Sequence, residues 1–197
     1  MKINRELFYA AYRDEFGSLE QSQVDGINAI LLAIEADSAF AYPPDAQLIK
    51  RKFVSQVAYI LATIKHECAD EWHPIDEYGK GAGRAYGKPD PRTGKTYYGR
   101  GFVQLTWYDN YRKMGAKLNV DLLNKPELAK DPAIAWQITS LGMREGIFTS
   151  KKLNDYITES TSDFLNARRI INRLDKARLI AGYAEQFKII LNASVVE

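Results

Sequence analysis

Apolar residues recur along most of the chain at intervals of three and four, the spacing of helices that bury one stripe. Leu7, Ala10, Ala11 and Phe16 predict a first helix, and Gly17 is placed to end it. Ser22 reads as the N-cap of a second helix through Val24, Ile27, Ile30, Leu31 and Ile34, which the AYPP segment at 41–44 breaks. A third is predicted from about Asp45 to Cys68. Val54, Val57, Ala58, Leu61 and Lys65 form one stripe on it, with Phe53, Ile60 and Ile64 as a second row. Two rows mean burial around most of its circumference. The helical pattern resumes after Gly101, where Thr106 or Asp109 caps a segment through Tyr111 and Met114. Asp131-Pro132 opens a helix holding Ile134, Trp136, Ile138 and Leu141. Two more run from Ser162 through Ile171 and from about Asp175 through Ile190.

From about 70 to 101 the periodicity is lost. Seven of the 13 glycines lie between Gly79 and Gly101, together with Pro89 and Pro91, so this stretch is predicted to be loop with a short hairpin around RTGK (92–95). A loop of that length inside a domain is usually functional or disordered, and Trp72, Tyr78, Tyr86, Tyr97 and Tyr98 argue against disorder. Beyond it, Phe102, Gln104 and Thr106 alternate with Val103, Leu105 and Trp107, which predicts a short amphipathic strand. There is no internal repeat. The reading is one mainly α domain over residues 1–197, with N-terminal helices 1–50 packed onto a core 51–197 and α+β character limited to a small hairpin.

Composition narrows the partners. A net charge of +2 and a sequence pI near 8.5 give no electrostatic case for nucleic acid. One cysteine, Cys68, excludes an intrachain disulfide and fits folding in a reducing cytoplasm. The N-terminus has no apolar signal-peptide core, and no apolar run reaches the roughly 18–20 residues of a membrane span. The expectation is a soluble monomer made in the cytoplasm without a signal peptide, and without stable membrane insertion.

Candidate chemistry centres on the end of the third helix. Glu67 follows Phe53, Ile60 and Ile64 on the second apolar row, where partial desolvation favours the protonated form that a general acid needs. The alternative is a helix-terminal glutamate paired with an arginine or lysine. Asp76 and Glu77 follow in a loop, where a more solvated carboxylate suits a general base that activates water. Asp70 and Glu71 read as a solvated helix end. His66, Glu67, Cys68, Asp70 and His73 crowd eight positions but lack the HExxH spacing, and two histidines and one cysteine do not complete a zinc shell, so no metal or cofactor is expected. A Ser-His-Asp or Cys-His apparatus is weaker still. Gln104 and Thr106 have the groups to hydrogen-bond sugar hydroxyls or a catalytic water, beside Tyr97 and Tyr98 as stacking faces.

With ILATIKHE (60–67), PIDEYGKG (74–81), YYGRGFVQLTWYDNY (97–111) and NARRIIN (166–172), the chain resembles glycoside hydrolase family 19, the chitinase-like group, and its phage endolysin and bacterial members in particular. The resemblance implies an inverting hydrolase with a lysozyme-like, two-lobed helical fold and a cleft. It implies Glu67 as general acid and Glu77 as general base, with Thr106 helping to hold the catalytic water. Gln104, Asn110 and Asn172 match sugar-binding positions, and His66 and Tyr98 shape the cleft. The family's common HET is HEC here, and Asn172-Arg173-Leu174 replaces the frequent NGG, which bears on substrate length more than on chemistry.

The function expected from these residues is cleavage of β-1,4 bonds between N-acetylated amino sugars. The substrate expected first is peptidoglycan glycan strands, reached as an endolysin released through a holin, with chitin second. The other classes weighed are a zinc-dependent wall peptidase or amidase, and a glycan-binding module that has lost catalysis.

Overall fold

The computed structural model describes residues 1–196 and is mainly helical, with short antiparallel strand pairs as its only sheets among those residues. The first pair joins β1 (Lys2–Ile3) to β4 (Val195–Val196), in register Ile3 to Val195, so the two ends of the described chain meet. Between them come α1 (Arg5–Phe16) and α2 (Gln21–Ala36), then the long α3 (Gln47–Glu67). The second pair joins β2 (Ile75–Asp76) to β3 (Arg100–Gly101). After it come α4 (Tyr108–Leu118), α5 (Pro132–Glu145), the single turn α6 (Phe164–Ala167) and α7 (Ala177–Ser194).

The double apolar row of α3 has the predicted consequence: every residue from Val54 to Lys65 is buried. It packs most extensively against α7, which also carries α1. The resulting core mixes Phe8, Tyr12 and Ile30 with Val57, Leu61 and Phe187. A second, smaller core gathers Tyr97, Val103, Leu105, Tyr111, Met114 and Ile138 around α4 and α5. Phe148 and Ile171 touch both. Two packed centres joined by an irregular crossing segment give the lysozyme-like arrangement.

Several local expectations are corrected. In α1 the buried face is Phe8 and Tyr12, while Leu7 is 47% exposed, because the aromatic edge meets Trp72 and Phe187. The cap of α2 lies two residues earlier than expected: Glu20 and Gln23 form a reciprocal capping box, and Ser22 lies inside the helix. Helix α6 starts two residues later than the expected start at Ser162, and Asp163 caps it by accepting from the Asn166 N–H. Asp131 caps α5 as expected, accepting from Ala133 and Ile134 N–H groups, with Pro132 at the first position. Around 92–95 the chain makes a turn and no hairpin, closed by Asp90 N–H donating to Lys95 O at 2.8 Å.

The amphipathic strand at 102–107 is absent. Only Arg100–Gly101 is strand. The chain then turns through Gln104 at φ 55°, and Leu105 N–H comes back to Arg100 O at 2.9 Å. Phe102, Val103 and Leu105 are all buried, so the alternation does not sort faces. A tight turn aims consecutive side chains into both cores at once, which a period-two pattern cannot express.

Candidate active site

Glu67 is the last residue of α3, where a carboxylate meets the negative end of the helix dipole at a cost of about 0.3–1 kcal/mol. Arg168 offsets this: its Nη1 donates to Glu67 Oε1 at 2.6 Å, with the guanidinium 2% and the carboxylate 19% exposed. The dry apolar surroundings expected for Glu67 are therefore replaced by an ion pair, the alternative weighed for a helix-terminal glutamate. The second row of α3 ends in the core at Ile64, and Glu67 emerges beyond it. Arg168 itself is fixed by Nε donating to Asp175 O at 2.9 Å, and Asn172 N–H donates to Arg168 O at 3.0 Å.

The chain leaves α3 through three left-handed non-glycine residues, Ala69, Asp70 and Trp72, with φ of 49°, 66° and 61°. Each such residue costs about 1–2 kcal/mol, and packing holds them there. Trp72 is 1% exposed and donates Nε1–H to Asp70 Oδ1 at 2.8 Å. The same oxygen receives Lys65 Nζ at 2.7 Å, and Gln23 of α2 donates to Asp70 O at 2.9 Å. Gly26 lets α2 come this close: a Cβ there would lie 2.4 Å from Trp72 O. Among the other crowded residues, His73 bonds Ser22 O at 2.9 Å, and Cys68 is buried with Sγ 3.6 Å from Phe102 O. The residues that crowd this stretch of sequence thus point to different neighbours.

Cys68 and Phe102 bring the end of α3 against the 102–104 turn, and that turn lies against Gly99 and Glu77. A Cβ on Gly99 would fall 2.7 Å from Gln104 Oε1 and 3.3 Å from Glu77 Cβ. Gly99 N–H donates to Glu77 Oε2 at 3.0 Å, and Glu77 N–H to Gly99 O at 2.7 Å. Tyr86 OH completes the grip, donating to Glu77 Oε1 at 2.8 Å. That bond to Glu77 is the main cause that raises Tyr86 above the ordinary tyrosine value. Glu77 is half-buried, with each oxygen oriented by one donor.

Asp76 is placed otherwise. It sits in β2, where Lys130 Nζ reaches Oδ2 at 2.8 Å and Arg100 Nε lies 3.6 Å from Oδ1. Arg100 is buried and also bonds Thr96 O and Tyr111 OH, each at 3.0 Å. Asp76 is thus the anchor of a structural ion cluster.

Gln104 donates to Gly101 O at 3.2 Å, Thr106 Oγ1 donates to Gln104 O at 2.7 Å, and Asn110 donates to Thr106 O at 2.9 Å. These three with Glu77 form one connected patch. His66 is half-buried at the α3 end beside Glu67. Asn172 is exposed one turn from Arg168, its Oδ1 accepting from Arg173 N–H at 2.8 Å. Tyr98 has one ring face covered by the Arg100 guanidinium at 3.6 Å. Tyr97, expected as a stacking face, is a core residue instead: 2% exposed, its OH 2.9 Å from Leu123 O. Three participants escape the sequence reading. Arg168 lies in NARRIIN, where the charge was the available signal. Tyr86 was one aromatic among several in the loop. Trp107, read as a strand residue, is 51% exposed at the start of α4 with φ 75°.

A helix-end glutamate, a loop glutamate held by a second strand pair, and two packed cores define a lysozyme-like helical scaffold. The same fold is present in the crystal structure of a family GH19, class IV chitinase from Zea mays: TM-score 0.62, 18% identity, covering 94% of this chain and 90% of that one. The profile of glycoside hydrolase family 19, chitinase class I, matches residues 20–143, and the chain belongs to this family. Chitinase 3 of Oryza sativa subsp. japonica is 32% identical over 126 residues, 56% of this chain and 38% of that protein. Inactive chitinase-like protein 1 of Hevea brasiliensis is 30% identical over 146 residues, 66% of this chain and 45% of that protein. The chain thus spans less than half the length of these relatives.

Proposed function

We propose that the protein is an inverting glycoside hydrolase that cleaves β-1,4 bonds between N-acetylated amino sugars, with Glu67 as general acid and Glu77 as general base. The observation that supports this most directly is the grip on Glu77, whose two oxygens are each oriented by one donor. Arg168 holds Oε1 of Glu67, leaving Oε2 to carry the proton given to the leaving glycosidic oxygen. Tyr86 and Gly99 each take one lone pair of Glu77, so each oxygen keeps another for a water. As the C–O bond breaks, Glu77 takes a proton from the water that attacks the anomeric carbon from the opposite face, and the product leaves with inverted configuration. Thr106, Gln104, Asn110, Asn172, His66 and Tyr98 are assigned to water and sugar contacts. The Zea mays and Oryza sativa relatives are named chitinases, which supports this bond class.

The substrate proposed is peptidoglycan, hydrolysed by a monomer that reaches the wall after release from the cytoplasm, as an endolysin does. Chitin is the second reading, favoured by the relatives' names. The inactive Hevea brasiliensis relative makes a catalytic assay decisive. Glu67→Gln should abolish hydrolysis with the fold intact by circular dichroism, and wild-type rates would remove the acid assignment. Glu77→Gln should lose activity where Asp76→Asn retains it in proportion to its stability; the reverse pattern moves the base to Asp76. Mass spectrometry of digested peptidoglycan reads the bond itself: a reducing end on either amino sugar supports glycosidase action, and a cut stem peptide refutes it.

A further inference from the structure

Tyr86 has a second side. While its hydroxyl holds Glu77, Tyr86 also lines a cavity of about 420 Å³, bounded by Lys88, Arg92, Trp107, Tyr108 and Asp109. That volume lies within the roughly 300–1,000 Å³ of ligand pockets. Trp107 meets the Tyr86 ring edge-on at 5.1 Å and is 51% exposed, so a wide apolar face is open to solvent at the rim. Its backbone lies at φ 75°, ψ 140°, outside the regions L residues favour. Such strain costs about 1–3 kcal/mol and persists where surrounding structure fixes it. Here Trp107 N–H is tied to Tyr97 O at 2.8 Å, and Trp107 O receives the Asn110 and Tyr111 N–H groups that start α4. The indole is thereby held out over the cavity, one residue from Thr106.

The charges in the wall are mostly spent. Arg92 is paired with Asp90 at 2.6 Å and lies 3.4 Å over the Tyr108 ring, and Asp109 faces Arg112 at 3.5 Å. Lys88 is exposed and has no ion pair among the described residues. An aromatic wall suits the C–H face of a pyranose, and one unspent ammonium beside it suits a carboxylate on that sugar.

We propose that Trp107, Tyr86 and Lys88 form a subsite, contiguous with Glu77, for an amino sugar bearing a carboxylate substituent. Lys88 is then the residue that favours an acidic glycan over an uncharged one. This rests on Glu77 being the base, and it deepens the peptidoglycan reading by naming what in the chain selects muramyl residues freed of their stem peptides.

The test is binding, so that it does not depend on turnover. In a Glu67→Gln background, dissociation constants are measured for muramyl glycan fragments stripped of their stem peptides, so that the lactyl carboxylates are free, for the same fragments after carboxyl reduction, and for chitin hexasaccharide. Trp107→Ala should weaken all three by about tenfold. Lys88→Met should lower the preference for native over carboxyl-reduced fragments by about fivefold, and raised salt should do the same to the parent protein. A preference unchanged by Lys88→Met, or no preference for native fragments in the parent, overturns the subsite. Full activity of Glu77→Gln overturns the base assignment instead, and the two failures are separately visible.

Discussion

The Arg168–Glu67 pair gives the most quantitative prediction. Arg168→Met removes a guanidinium that is 2% exposed and bonds both Glu67 Oε1 at 2.6 Å and Asp175 O at 2.9 Å. Breaking one side of a fully buried pair costs about 3–5 kcal/mol. Glu67 keeps 19% exposure, so water recovers part of that loss, and the cost falls toward the ~1.5–3 kcal/mol of a hydrogen bond to a charged group. Asp175 is exposed and its carbonyl regains water, which adds about 0.5 kcal/mol. The expected destabilisation is roughly 2–3.5 kcal/mol, a fall of about 1–1.7 M in the urea midpoint at a slope near 2 kcal/mol/M. Glu67→Gln keeps an acceptor oxygen and should cost about 1 kcal/mol. If the pair acts as a unit, the double variant loses the ionic part once, and the cycle shows about 1–2 kcal/mol of coupling. Equilibrium urea unfolding followed by circular dichroism measures all four proteins. Additivity within about 0.5 kcal/mol would refute the coupling.

Three shorter predictions address other parts of the molecule. Burial, with a smaller contribution from Glu67, pushes the Cys68 thiol up to about 12, so native protein at pH 8 should resist alkylation, with labelling at the rate of global unfolding; prompt labelling would show that the α3 end opens on its own. Burial pushes the Glu35 carboxyl up, but the Arg5 guanidinium and the Ile3 N–H outweigh it and hold the group below the ordinary value. A depressed carboxyl contributes stability above the unfolded glutamate value and loses it as pH falls through the native one. Glu35→Gln should therefore lower the melting temperature more at pH 7 than at pH 3, and an equal drop at both would contradict the linkage. Gly99→Ala should displace the Gln104 amide oxygen, 2.7 Å from the added methyl, and press on Glu77 Cβ at 3.3 Å, lowering turnover by about tenfold, less than the ~100-fold of a ~1 Å misplacement; wild-type turnover would mean that the turn is not part of the site.

What could be read in the sequence depended on how local the determining contacts are. The third helix was legible because its own two rows specify burial, and the Asp131-Pro132 start was legible because a cap is satisfied within three residues. The 97–107 segment was not, since its alternation describes a strand while the backbone is set by the return bond from Leu105 to Arg100 and by left-handed residues at 104 and 107. Both carboxylates were visible as residue types in suggestive places. Their partners were not: Arg168 lies 101 positions beyond Glu67, and Tyr86 reaches Glu77 only because the loop closes back on itself. Between Asp76 and Glu77 the sequence offered little to choose. The structure separates them by the company each keeps, ion pairs for one and a hydroxyl and an amide for the other.

Lys65 shows how far the support of such a site extends. On the helix pattern it sat in an apolar stripe, an odd place for an ammonium. In the fold it is 8% exposed, 4.6 Å from the Phe16 ring and 5.6 to 5.8 Å from Tyr183, Tyr12 and Trp72, with its charge met by Asp70. The rings supply negative faces and Asp70 a counter-charge, so the ammonium is held with little exposure to solvent. Two partners, Asp70 and Trp72, lie in the left-handed exit from α3, two in α1 and one in α7. The turn that begins one residue after Glu67 is therefore fastened by elements from both ends of the described chain. The first two helices are part of what fixes the direction of the proposed acid. Changes at Phe16 or Tyr12, far from any sugar in sequence, should reach catalysis through the orientation of that turn.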